Sequence, residues 1–138
     1  MAVGEAMIVA GVGCRRGASA AAIESVIAAA LARAGLASQR LDVLATAEFK
    51  GDEPGIAAAA AARGASLILV AQADLERAGG RAAHSRRVAE LTGVGSVAEA
   101  AALAAGGPAA RLLVPRIAIG PATCALALVE TAPSEAAS

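Results

Sequence analysis

Hydrophobic positions change their spacing in a regular way along the chain. Residues 7–13 (MIVAGVG) form a short apolar run closed by glycines, the pattern of a strand covered on both faces with a tight turn after it. Ser19 stands where a helix N-cap belongs. Ile23, Val26, Ile27, Ala30, Leu31 and Ala34 then recur at helical spacing up to Gly35, a natural helix end. Residues 41–45 (LDVLA) read as a second strand. A polar, turn-rich segment follows, in which Asp52 or Glu53 can cap a helix that takes Pro54 into its first turn. Residues 56–62 of that helix are nearly all alanine, so it can lie very close to a neighbour. Residues 67–70 (LILV) read as a third strand. This alternation of strand and helix argues for a parallel sheet with right-handed crossovers.

Beyond residue 70 the pattern is weaker. Asp74 starts a short helix to Arg77, Gly79-Gly80 interrupts it, and residues 85–91 carry another short helix with Val88 and Leu91 inward. Ser96 and Glu99 spell a capping box whose helix runs to Gly106-Gly107-Pro108. Residues 112–114, 117–119 and 124–129 read as strands. Gly120-Pro121 turns a hairpin between the last two, and Pro115 marks an edge, a bulge or a strand end. The expected fold is an α/β protein, a three-layer α/β/α sandwich around a mainly parallel sheet of about five strands with an antiparallel C-terminal strand. One domain is expected over residues 1–130, with residues 131–138 as a disordered tail.

Composition narrows the function. With 57% hydrophobic and 17% charged residues, the chain is too apolar to be disordered. Yet no apolar run approaches the ~20 residues of a membrane span. Residues 1–10 carry Glu5 and no basic n-region, so no signal peptide is expected and the location is expected to be cytoplasmic. Twelve basic residues balance twelve acidic ones and Phe49 is the single aromatic. Nucleic acid would meet neither a positive field nor a stacking platform. Cys14, Cys124 and His84 match no metal-ligand spacing, and neither metal nor cofactor is expected.

Ligands of open parallel sheets bind beyond the carboxyl ends of the strands. Three loops meet there: residues 11–17 (GVGCRRG), 46–50 (TAEFK) and 71–72 (AQ). In the first, Gly11, Gly13 and Gly17 let backbone amides approach a ligand and a helix start follows, which favours an anion. Arg15 and Arg16 add bidentate donors for carboxylates. The loop is not a dinucleotide fingerprint, because Arg16 stands where glycine is needed, and it lacks the Gly-Lys-Ser/Thr of a P-loop. Cys14, near a helix start and two arginines, is in a setting that would lower a thiol pKa and open a nucleophilic role, although a small buried cysteine at a tight turn is the commoner case. Cys124, inside a strand, belongs to the core. Lys50, the only lysine, either binds a carboxylate or pairs with Glu48, Asp52 or Glu53. Glu53 is more simply a helix cap or a first-turn charge, and Glu99 is first explained by its capping box. His84 reads as an exposed bystander, and Arg81, Arg86 and Arg87 as a solvated face. Arg116, between apolar strand segments and beside Pro115, needs a partner or a ligand.

Four segments in order resemble the family formed by CobE and the C-terminal domain of CbiG. They are residues 11–17; residues 45–50 with Glu53; Ser85 and Val88 followed by residues 93–103, which include Glu99; and residues 112–116 followed by Thr123 and Ala125. Two positions depart: Ala83-His84 stand where the family often has a proline, and Arg116 where a lysine is common. The resemblance implies a place in building the corrin ring of cobalamin. It is to the stand-alone CobE form rather than to whole CbiG, a larger protein that opens the lactone of a cobalt-precorrin intermediate and releases a two-carbon aldehyde. Taken with the clustered cations, the first reading is a protein that binds a precorrin tetrapyrrole and assists its processing or transfer, with Gly11, Gly13, Cys14, Arg15, Arg16, Gly17, Thr46, Lys50, Ser85, Glu99, Arg116 and Thr123 as candidate binding residues. Precorrins carry many acetate and propionate groups, which suit clustered cations, and Phe49 could supply part of an apolar wall. Two other readings stand beside this one. One is a pathway enzyme, a hydrolase opening the precorrin-5 lactone, with Cys14, Lys50 and Glu53 as catalytic candidates. The other is a subunit docking on a precorrin methyltransferase or another corrin-pathway enzyme.

Overall fold

The computed structural model describes residues 6–86 and 97–130, with the end of the third helix, residues 80–86, described as backbone only. Five strands and four helices follow the order β1 (Ala6–Cys14), α1 (Ala20–Arg33), β2 (Val43–Ala47), α2 (Pro54–Arg63), β3 (Ser66–Val70), α3 (Gln72–Arg86), α4 (Val97–Gly106), β4 (Arg111–Ile119) and β5 (Ala122–Glu130). A 3₁₀ turn, Glu48–Lys50, separates β2 from α2. The strands form one sheet in the order β3-β2-β1-β5-β4. β1, β2 and β3 pair in parallel, and β5 runs antiparallel between β1 and β4. The expected mixed sheet, with its final strand reversed, is what forms.

Strand alternation divides the core into two layers. Ile8, Ala10 and Val12 of β1, Leu44 of β2 and Cys124 and Leu126 of β5 pack against α1 and α2. Val9, Val43, Ala45, Val70 and Ala127 face α3 and α4. α1 is held at its start by Ser19, whose Oγ accepts the Ala22 amide at 3.1 Å, and Gly35 follows its end with φ 74°. Asp42 lies just before β2. Its carboxylate accepts the Ile8 N–H at 2.9 Å and its own N–H donates to the Ile8 carbonyl at 3.1 Å, which ties β2 to the start of β1.

Helices rich in alanine reach the sheet only by coming close. α4 does so at Gly11, where a Cβ would lie 2.0 Å from the Ala98 carbonyl oxygen and 2.7 Å from the Ala102 nitrogen. α2 repeats the device at Gly55, where a Cβ would lie 2.3 Å from the Ala18 carbonyl oxygen. Gly55 thereby presses the start of α2 onto the segment that begins α1.

Three local expectations need correction. α3 is one helix through Gly79-Gly80. Its buried Leu75 and Ala78 pack it into the core layer it shares with α4, and packing of that kind outweighs the ~0.5–1 kcal/mol cost of a helical glycine. The helix expected over residues 85–91 is continuous with α3 as far as Arg86, and the rest of it lies outside the described residues. Residues 112–114 and 117–119 are one edge strand, β4, which passes through Pro115 with register shifts on both sides of Val114. Of the capping box, Ser96 lies outside the described residues. The tail expected over residues 131–138 also lies outside them.

Two glycines serve as a test of close packing. Gly11→Ala forces a backbone shift and is expected to lower stability by at least the ~1–3 kcal/mol of overpacking. Gly79→Ala meets nothing within 4 Å and is expected to raise stability by about 0.5–1 kcal/mol. Urea unfolding of both variants checks the contrast.

Candidate functional site

β1 ends at Cys14, opposite Ala122 of β5, and Gly13 faces Thr123. The β4–β5 hairpin therefore turns at the carboxyl end of β1. The Arg15 amide donates to the Pro121 carbonyl at 2.9 Å, and the Thr123 hydroxyl donates to the Gly13 carbonyl at 3.3 Å. These bonds hold the first loop against the hairpin. Between them opens a cleft of about 400 Å³ lined by Gly13, Cys14, Arg15, Phe49, Lys50, Val97, Arg116, Ala118, Gly120, Pro121 and Thr123. A more polar recess of about 700 Å³ adjoins it, lined by Arg16, Gly17, Phe49, Lys50, Asp52, Glu53 and Pro54. Phe49 and Lys50 belong to both.

Chain elements far apart in sequence thus bring three cations to one cleft: Arg15 from the first loop, Lys50 from the 3₁₀ turn and Arg116 from β4. Phe49 is 63% exposed on the rim and Val97 40% exposed. Together with Ala118 and Pro121 they give the cleft apolar wall area between its charges.

Glu53 binds the two chambers together. It is nearly buried, its Oε1 accepts the Gly17 N–H at 2.9 Å, and its Oε2 lies 4.0 Å from Lys50 Nζ. It occupies the N-cap position of α2 without capping it by side chain, because the carboxylate is turned to the first loop instead. Lys50 pairs with Glu53 rather than with Glu48 or Asp52. The same carboxylate therefore holds the Gly17 turn, where φ is 79°, and sets the position of the lysine.

Several expected binding residues lie elsewhere. Gly11 is buried beneath α4, and its lack of a side chain serves helix packing rather than ligand approach. Thr46 is fully buried and its hydroxyl donates to the Val12 carbonyl at 2.8 Å, which joins β2 to β1 and takes the hydroxyl out of contact with any ligand. Glu99 is fully buried. Its Oε2 accepts the Arg116 backbone N–H at 2.9 Å, so it sits under the cleft and fixes β4 there, a role the capping-box reading missed. Ser85 falls in the last turns of α3, where only the backbone is described. Val97, Ala118, Gly120 and Pro121 were not foreseen at the site. Gly120-Pro121 was legible as a turn, but its placement depends on β5 pairing with β1.

The thiol of Cys14 departs from the expected direction. Partial burial pushes its pKa above the ordinary value, Lys50 pulls it down by a smaller amount, and Glu53 adds to the rise. Burial outweighs the cations because Arg15 and Arg16 are turned to solvent. Cys124 is buried in the core, and its thiol is pushed up to about 12 by that burial. Among the described residues no group of three or more His, Cys, Asp or Glu side chains could hold a metal ion. Nor is any described helix long and apolar enough to cross a membrane. A further groove of about 480 Å³, lined by Asp74, Arg77, Ala78, Ala104, Gly107 and Pro108, contains none of the expected residues.

The five-stranded mixed sheet with helices packed around it is a fold already seen in solved structures. Residues 8–127 match the family described as cobalamin synthesis G C-terminus, and the chain belongs to that family. It is 37% identical over 121 residues to a protein named CobE from Sinorhizobium sp., an alignment that covers 87% of this chain and 79% of the relative. The crystal structure of a cobalamin biosynthesis protein, chiG, from Agrobacterium tumefaciens is similar with a TM-score of 0.74 and 43% identity, over 89% of this chain and 98% of that one. The crystal structure of CobE, a protein from the cobalamin biosynthetic pathway, is similar with a TM-score of 0.75 and 35% identity, over 90% and 94% of the two chains. A cobalamin biosynthesis protein G homolog from Sulfolobus solfataricus shares the fold at a TM-score of 0.65 and 23% identity, with 88% of this chain matching 36% of that one.

The electrostatics around Cys14 set a pH test. Alkylation follows the thiolate, so the rate with iodoacetamide is expected to rise through an inflection above the ordinary thiol value. Lys50→Ala removes a charge that lowers the pKa and moves the inflection up; Glu53→Gln removes one that raises it and moves the inflection down. For Cys124 the folded pKa lies above the unfolded one, so the unfolded chain loses its proton first and stability falls as pH rises from the ordinary 9.0 to about 12. Urea titrations of wild type and Cys124→Ala over that range check the sign, the variant losing less.

Proposed function

We propose that the chain binds a precorrin tetrapyrrole at the cleft and assists its processing or transfer in cobalamin synthesis. One observation carries the reading: Arg15, Lys50 and Arg116 line a single cleft together with Phe49. A precursor ring rimmed with acetate and propionate groups needs separated cations for its carboxylates and an apolar surface for its ring, and both are present. A hydrogen bond to a charged group contributes about 1.5–3 kcal/mol, so a few such contacts already give useful affinity. The adjoining recess, with Arg16 on its wall, leaves room for substituents that reach past the ring edge. Family membership supplies the pathway, and the relatives named for cobalamin biosynthesis support it.

Binding rather than turnover is favoured by the state of Cys14. Its raised pKa keeps it a thiol near neutral pH, and a thiol is a weak nucleophile. Glu53 is engaged with Gly17 and Lys50, which makes it a positioning group rather than a free base.

Titration of the protein with early-to-middle precorrins, followed by their visible absorption, tests the proposal. Arg15→Ala/Arg116→Ala is expected to weaken binding by about 3 kcal/mol or more, at least a hundredfold, while Arg16→Ala alone has a smaller effect. No spectral change with any intermediate would remove the proposal and leave a docking subunit as the better reading. Steady release of a ring-opened product, lost in Cys14→Ser with binding intact, would favour the hydrolase instead.

A further inference from the structure

The two edges of the sheet are built to opposite rules. An edge strand presents unpaired backbone groups, and proteins blunt such edges with charge, proline or bulges. β4 has all three: Arg111 and Arg116, Pro115, and register shifts on both sides of Val114. β3, at the other edge, has none. Its sequence is SLILV, and among the described residues it pairs only with β2, in unbroken register. Ile68 is 36% and Leu69 44% exposed. Neighbouring strand residues point to opposite faces, so apolar surface is uncovered on both sides of this edge.

α2 extends that surface. Its exposed positions Ala57, Ala58, Ala61 and Ala62 are all alanine, where a surface helix ordinarily carries charge. The twenty residues from Pro54 to Ala73 hold one charge, Arg63, whereas at the chain's 17% they would hold about three. Arg63 is turned toward α1, with its Nε 2.9 Å from Glu24 Oε1.

We infer that the β3 edge is a homodimer interface, at which a second copy of this chain adds its own β3 antiparallel across a two-fold axis near Ile68. Self-pairing about Ile68 sets Ser66 opposite Val70 and Leu67 opposite Leu69. The strand carries no charge, so nothing on it repels its copy in an isologous contact. A partner segment carrying charge would find no counter-ion here. The alanine face of α2 lets the same helix of the second copy approach to the short end of the ~8–10 Å helix spacing, adding area to a strand contact that is small by itself. Charge depletion of this kind marks the core of homodimer interfaces. Because the strands run antiparallel across the axis, the two basic clefts face opposite ends of the joined sheet and both stay open.

Sedimentation velocity of the full chain between about 1 and 100 μM tests this, a range that separates strong from weak self-association. The wild type is expected to sediment as a dimer. Ile68→Lys and, separately, Ala61→Glu are expected to weaken the dimer at least about tenfold. Ile119→Lys, on β4 at a site 43% exposed, is expected to leave it unchanged. Far-UV circular dichroism checks folding; should Ile68→Lys fail to fold, Ala61→Glu on the helix surface decides. A monomer throughout the range overturns the inference, as does a dimer indifferent to both variants or one abolished by Ile119→Lys.

Discussion

A core made largely of alanine can be closed only if helix and sheet backbones approach each other nearly to contact. Gly11 is where that approach is met. With no side chain on β1 at this point, Ala98 and Ala102 of α4 sit directly on the strand. The consequence reaches the site. Seating α4 there puts Val97 at the mouth of the cleft and buries Glu99 beneath β4. The Glu99 carboxylate then accepts the Arg116 amide, at the place where Pro115 and the register shifts have taken β4 out of regular pairing. The arginine head is left in solvent at the cleft while its backbone is anchored below.

Glu53 does for the opposite wall what Glu99 does for this one. Each is a largely buried carboxylate that accepts a backbone N–H from a loop or strand bearing a cation. Glu53 also faces Lys50, which balances its charge within the recess. The cleft therefore sets its cations on backbone held by buried carboxylates, an arrangement suited to a ligand with several carboxylates spaced around an apolar body. Partial burial of the Cys14 thiol in the cleft raises its pKa, against the pull of Lys50.

Much of this was legible in the chain. Alternating apolar runs and alanine helices specified three parallel strands and their crossovers, Ser19 and Gly35 bounded α1, and Gly120-Pro121 marked the hairpin. The glycine-arginine loop, Lys50, Arg116 and Thr123 were singled out and do line one cleft or its border. What escaped was set by tertiary contact. The helical pattern broke at Gly79-Gly80 only in one dimension, since Leu75 and Ala78 pack α3 into the core layer it shares with α4. Thr46 and Gly11 sit in or beside loop motifs, yet one hydroxyl bond to Val12 and one helix contact turn them into framework. The pKa of Cys14 was judged from neighbouring charge, whereas desolvation dominates. Ala118 and Pro121 join the site because β5 inserts between β1 and β4, and Val97 because α4 seats on Gly11; no local pattern states either.

The convergence of Arg15, Lys50 and Arg116 with Phe49 is the central claim, and it can be read without knowing the natural ligand. Two-dimensional NMR of isotope-labelled protein, titrated with uroporphyrin III as a stable tetrapyrrole bearing acetate and propionate groups, reports which amides move. Concerted, saturable shifts of the Cys14–Arg15, Phe49–Lys50 and Arg116 amides are the predicted result. Shifts confined to the groove at Asp74 and Gly107, or no saturable shift in the three segments, would contradict a polycarboxylate-binding cleft.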